Sequence, residues 1–163
     1  MIDDQVIRQQ IVQLLDGRNA HYTFDDAIEQ FPMEHINTRP PDVPYTPWHI
    51  IEHLRISQWD ILEFMRDPDH VSPNWPEGYW PSPEATTDEE QWQESVDQFH
   101  TDMESIKELA MNSDIELSAE IPHAPDYTYV REFLLVADHN AYHVGEFAIL
   151  RQIMGTWHQD RKF

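Results

Sequence analysis

Three histidines are placed so that they could share one metal ion. His139 and His143 stand four residues apart in A-D-H-N-A-Y-H-V-G-E-F. On a helix that spacing sets both rings on one face, one turn apart. His53, in T-P-W-H-I-I-E-H-L-R, has to come from another helix. Two imidazoles from one helix and a third from a second make a facial set with coordination positions left open. An open-sided site implies ligand binding or chemistry, whereas a closed one implies structure alone.

Each of these residues also has a plainer reading. A buried imidazole must be satisfied, and a backbone carbonyl or a carboxylate can do so as well as a metal ion. Ser57, small and one turn past His53, leaves room beside that ring. His49 precedes His53 by four and forms a second H-x-x-x-H, so it is a rival fourth ligand. By helical angle it turns toward the polar side near Asp60, which places it behind the ligands or at the surface. Glu146 follows His143 by three and lies almost on the ligand face. It either accepts the outer N–H of a ligand and acts as a base, or reaches solvent near a helix end. Asp138 and Glu132 offer the same chemistry from less favourable positions, and Tyr142 either closes a pocket or packs. His21, His35, His70, His100, His123 and His158 are assigned no role.

Positioning falls to helices. Gly is scarce, at 4 of 163 residues, and helical periodicity dominates outside the proline-rich stretches. A first helix opens at Asp3 as N-cap and carries Val6, Ile7, Ile11, Leu14 and Leu15. Thr23 caps a short helix toward Phe31. After Pro32, Pro40, Pro41 and Pro44 break the chain, Thr46-Pro47 starts a second long helix running to about Met65. Its apolar arc is Ile50, Leu54, Ile61 and Phe64, with His53 and Ser57 inside it. Residues 68–83 hold five prolines together with Trp75, Tyr79 and Trp80, which predicts an ordered loop over one end of the bundle, able to lid a pocket. A third helix over 88–111 has the stripe Trp92, Val96, Phe99, Met103, Ile106 and Ala110. A fourth over 127–154 has Leu135, Val136, His139, Tyr142, His143, Leu150 and Ile153. Only Ile115-Glu116-Leu117 suggests a short extended piece. The fold class is therefore all-α, a four-helix bundle with long proline- and aromatic-rich linkers, in one domain spanning 1–163. The long second linker permits a crossover.

Composition removes several functions. There is no cysteine, hence no thiolate ligand, zinc finger or cysteine nucleophile. With 31 acidic against 10 basic residues and a formal charge of -21, a phosphate backbone would be repelled, so nucleic acid is not the expected partner. No segment resembles a signal peptide or a membrane span, and the expected location is cytoplasmic. A Gly-rich phosphate loop, a G-x-S-x-G elbow and H-E-x-x-H are all missing.

At the residues that matter the chain resembles the DinB-like superfamily of metal-binding four-helix bundles. The likeness rests on W-H-I-I-E-H-L-R-I-S-Q-W-D-I-L, with His53 as first ligand, and on D-H-N-A-Y-H-V-G-E, similar to the family's closing H-x-x-x-H-x-G-[QE]. D-G-R-N-A-H-Y-T-F-D-D-A and S-P-N-W-P-E-G-Y-W-P are similar to one bacterial subgroup. The resemblance implies a divalent ion, nickel or zinc, held by His53, His139, His143 and water, and a homodimer. Some relatives are thiol S-transferases using bacillithiol, mycothiol or glutathione, and many have no established activity. No thiol-binding residue of those relatives can be matched in this chain.

Two function classes follow. One is a metal-dependent enzyme acting on a small molecule, a thiol S-transferase or hydrolase. Glu146 would take the proton, the substrate would enter under the Trp75–Trp80 loop, and Arg55, Arg131 or Arg151 would anchor an anionic thiol. The other is a non-catalytic metal-binding or stress-response bundle with a closed site.

Overall fold

A computed structural model describes residues 4–18 and 20–158 of the chain; the predicted cap at Asp3 lies outside them. Helix α1 spans Asp4–Leu15, α2 Phe24–Ile28, α3 Pro47–Arg66, α4 Glu89–Met111 and α5 Tyr129–Met154. A small hairpin, β1 Glu120–Ile121 and β2 Ala124–Thr128, precedes α5. The fold is all-α apart from that hairpin, as the sequence predicts.

Local chemistry sets the helix ends. The Thr23 hydroxyl accepts from the Asp26 amide, and the Asp26 carboxylate accepts from the Thr23 amide, a reciprocal capping box. Thr46 caps α3 in the same way with His49 as its partner, and Pro47 occupies the first turn where its missing N–H costs nothing. Asp88 caps α4 and Thr128 caps α5. Gly155, at φ 66, ends α5 in the left-handed conformation that a side chain disfavours.

In the bundle α3 packs against α4 and α5, and α1 against the same two helices. This puts α1 and α3 at opposite corners, and α4 and α5 likewise. The diagonal steps are therefore the connections from α1 to α3 and from α4 to α5. The linker between α3 and α4, where the sequence permits a crossover, joins neighbours instead.

The predicted stripe of α4 is buried at every position: Trp92, Val96, Phe99, Met103, Ile106 and Ala110. That of α3 is offset, with Leu62 and Met65 buried while Ile61 and Phe64 are only partly covered. In α5, Tyr142 and Ile153 are exposed, and Phe133, Ala137, Val144 and Phe147 fill the core in their place. Residues 115–117, expected to be extended, form no strand; the short strands are β1 and β2, further along the chain.

Two buried arginines tie segments together. Arg8 donates to the carbonyls of Ala110, Asn112 and Ile115 at the end of α4. Arg151 donates to those of Ala27, Glu29 and Thr156. Among the described residues no helix is long and apolar enough to cross a membrane.

Candidate metal centre

His53 on α3 and His139 and His143 on α5 meet where those helices pack. One nitrogen from each ring lies within 4.8 Å of the other two. His53 Nε2 is 3.1 Å from His143 Nε2 and 3.1 Å from His139 Nε2. Imidazole nitrogens bound to one zinc-like ion at about 2.0–2.1 Å sit roughly 3 Å apart, so His53 Nε2 already stands at that spacing from both other rings.

The outer nitrogens decide which atoms face inward. His53 Nδ1 is 2.8 Å from the Tyr79 carbonyl, which only accepts, so Nδ1 carries the proton. Ser57 Oγ is 3.4 Å from the same nitrogen. His143 Nδ1 is 2.7 Å from Glu146 Oε2 and donates to it. In their neutral forms His53 and His143 therefore present bare Nε2 lone pairs to each other. Facing lone pairs at 3.1 Å repel unless a cation relieves them. A proton can serve two nitrogens; three converge here. The donor set fits a divalent transition metal.

Electrostatics agree. Burial pushes His53 down to about 4, against a smaller upward pull from its bond to Tyr79. Burial also pushes His139 down to about 4, helped by the two neighbouring imidazoles. Both rings thus stay neutral, the state in which an imidazole binds metal. Glu146 is lowered: burial raises it, but hydrogen bonds from His143 and Tyr45 outweigh that. The Tyr45 hydroxyl donates to Glu146 Oε1, and burial with that bond raises the Tyr45 phenol.

The 68–83 loop is ordered and reaches the centre. Trp80 lies flat on His53, ring centroids 3.8 Å apart and planes at 6°, and Tyr45 also stacks with Trp80, centroids 5.7 Å apart. The Tyr79 carbonyl is presented by a short 3-10 turn over Glu77–Tyr79. Within it Gly78 is required by close approach, since a Cβ there would meet Pro73 at 2.7 Å. Asp60 anchors the loop to α3, accepting from the Tyr79 hydroxyl at 2.6 Å and from His70 at 2.7 Å. The Tyr79 phenol is pushed up to about 12, by burial and then by that bond. The loop thus seals the His53 side, and Trp75, 75% exposed, stands away from it.

An opening lies elsewhere. A cleft of about 390 Å³ runs along α5 beside Glu146, lined by Val43, Tyr45, Tyr142, Ile149 and Ile153 among others. Tyr142 sets its ring edge-on to His143 at 4.8 Å and is itself exposed.

Other candidates take structural roles. His49 is buried, not at the surface. Its Nδ1 accepts from the Thr46 amide and its Nε2 lies 3.0 Å from the Ala85 carbonyl, so it caps α3 and pins the segment before α4. Asp138 is exposed, and Glu132 is buried in a pair with Arg131 at 2.5 Å. Arg55 is clamped by Glu52, and Arg151 is spent on carbonyls, so these three arginines are held by partners of their own. Of the histidines given no role, His70 supports the loop through Asp60. Tyr45, Tyr79, Trp80 and Asp60 are the contributors that sequence reasoning missed as parts of the centre; the aromatic density of 68–83 was the one signal pointing to any of them.

No curated protein and no solved structure gave a match to the chain. A family model does, over residues 18–147, and its description is the DinB superfamily. That span includes all three histidines, Tyr45, Glu146 and the loop, and it confirms the family seen in the two helix motifs: the chain belongs to the DinB superfamily.

Proposed function

We propose that this protein is a divalent-metal-dependent enzyme with His53, His139 and His143 as ligands of nickel or zinc, acting as a hydrolase or thiol S-transferase on a small molecule. The observation that carries the reading is the convergence of three Nε2 atoms, two with their Nδ1 protons already committed to acceptors. A bound ion of this kind supplies Lewis acidity that makes hydroxide or thiolate available near neutral pH.

The chain's own residues supply orientation and a proton acceptor. Tyr79 and Glu146 hold the His53 and His143 tautomers. Trp80 keeps water off the face of His53. Glu146 is an ionised carboxylate in the wall of the cleft and is the group we assign to take a proton on the substrate side. Among the described residues the cleft's lining carries no arginine or lysine, which favours a neutral, largely apolar substrate over an anionic thiol. The non-catalytic reading draws support from the sealed His53 side, since a purely structural site would be covered in this way.

Metal content of untagged protein is the test, for wild type and for His139→Ala. About one divalent ion per chain, lost in the variant, is expected. A wild type that stays empty after incubation with zinc and with nickel would overturn both metal readings. Hydrolysis or thiol-transfer turnover by the loaded protein, lost in Glu146→Gln with metal retained, separates enzyme from metal-binding bundle.

A further inference from the structure

Two of the three imidazoles have a partner for the outer nitrogen, and the third does not. His139 Nδ1 is buried and makes no hydrogen bond of ordinary geometry. The next residue, Asn140, has the complementary deficit, since its Oδ1 is also buried and unpartnered. A buried donor and a buried acceptor that each lack a partner are both costly to keep from water.

The orientation of Asn140 is fixed from a distance. The Phe99 carbonyl on α4 can only accept, so the Gln58 side chain on α3 turns its Nε2 toward it, at 2.7 Å. Gln58 Oε1 then faces Asn140 on α5 and accepts from Asn140 Nδ2 at 2.8 Å. Gln58 is 1% exposed and Asn140 9%, so no solvent competes for these groups. The amide of Asn140 cannot flip without breaking that chain, and its Oδ1 is left as a buried acceptor without a partner, one residue along α5 from His139.

We propose that Asn140 is a positioning residue for the metal centre: its Oδ1 accepts the His139 Nδ1 proton, and the Phe99–Gln58–Asn140 chain thereby fixes the tautomer that turns His139 Nε2 inward. This deepens the reading of the three histidines as ligands and rests on it. It also gives every ligand an outer acceptor, of three kinds: a backbone carbonyl, a carboxylate and an amide. Only the amide is oriented by residues from two further helices.

The test compares Asn140→Leu, which removes the acceptor, with Asn140→Asp, which keeps an acceptor and loses the donor to Gln58. Zinc affinity is read by calorimetric titration, and the His139 Nδ1–H by nitrogen-15 NMR of the zinc-loaded protein. Asn140→Leu is expected to weaken zinc binding about 10–100-fold, the usual effect of losing such a partner, and to lose the slowly exchanging Nδ1–H. Asn140→Asp should retain both. Equal losses in the two variants, or an unchanged affinity in Asn140→Leu, would overturn the proposal and leave Asn140 a packing residue. If Asn140→Leu does not fold, a slowly exchanging Nδ1–H in wild type supports the contact and a rapidly exchanging one refutes it. A wild type that takes up no zinc sinks the metal reading instead. The metal-free protein then decides the tautomer: a proton on His139 Nδ1 supports the Asn140 contact, and one on Nε2 discards it.

Discussion

His53 and His139 are each held down to about 4 in the folded protein, against an ordinary value of about 6.5 in an unfolded chain. Between those values the unfolded state binds more protons than the native state, so stability rises with pH across that window. The stabilisation is fully present above about pH 6.5 and is lost as pH falls toward 4. Two such rings give a slope of at most about 2.7 kcal/mol per pH unit. Urea unfolding of metal-free protein at pH 7, 6 and 5 should show this loss, and His139→Ala should reduce its slope. An identical slope in the variant would place the acid sensitivity in other groups. The three converging histidines were legible in the sequence because residue type and spacing single them out: imidazole is a metal donor, and a four-residue step puts two on one helix face. Their acceptors were legible only where a side chain of fitting spacing did the accepting, as Glu146 does at three residues from His143. The Tyr79 carbonyl has no sequence mark, since every residue owns one. Tyr45 meets Glu146 across 101 residues, a distance no local pattern spans. His49, a rival by spacing that helical angle turned toward the polar side, is buried instead because its ring serves the cap of α3 and meets the Ala85 carbonyl.

Between elements, the loop and α3 act on the centre together. Asp60 receives the Tyr79 hydroxyl and the His70 ring, and Tyr79 in turn holds His53. Asp60→Ala removes the acceptor of two part-buried donors and should cost about 1–3 kcal/mol in all, measured by urea unfolding. It should also weaken zinc binding, because the carbonyl that orients His53 is no longer anchored. A destabilised variant with unchanged zinc affinity would confine Asp60 to a structural role. Gly145 argues the reverse case. It sits in the interior of α5, where glycine costs about 1 kcal/mol relative to alanine, and a Cβ added there meets nothing within 4 Å. Gly145→Ala should therefore raise the thermal midpoint and leave zinc affinity unchanged; a lowered midpoint would refute the open space beside it. Helix starts were readable because Thr23, Thr46 and Asp88 are caps with local chemistry. The phase of α5 was not, because apolar residues surround much of its circumference and two of them, Tyr142 and Ile153, line the cleft instead of the core. The hairpin was hidden by its brevity and by Pro125 in β2, a residue that argues against a strand.

Across the whole molecule, a specific centre competes with a general property of the surface. The formal charge of -21 attracts divalent cations without selecting a site, so uptake alone does not distinguish the histidines from scattered carboxylates. Stability does. The centre joins α3, α5 and, through Tyr79 and Trp80, the loop between α3 and α4, all of which must be folded for the three nitrogens to meet. An ion bound there favours the native state over the unfolded one, whereas loosely attracted ions also bind the unfolded chain, which carries the same carboxylates. At zinc one hundred times its dissociation constant the gain is about 2.7 kcal/mol, roughly 5–11 °C in thermal midpoint for a chain of this size. Excess chelator should reverse it. Salt should leave most of it in place, because a buried site is screened far less than the surface field. His139→Ala should show little of the gain. An equal rise in wild type and variant, abolished by salt, would assign the zinc to the acidic surface and leave the three histidines without a metal.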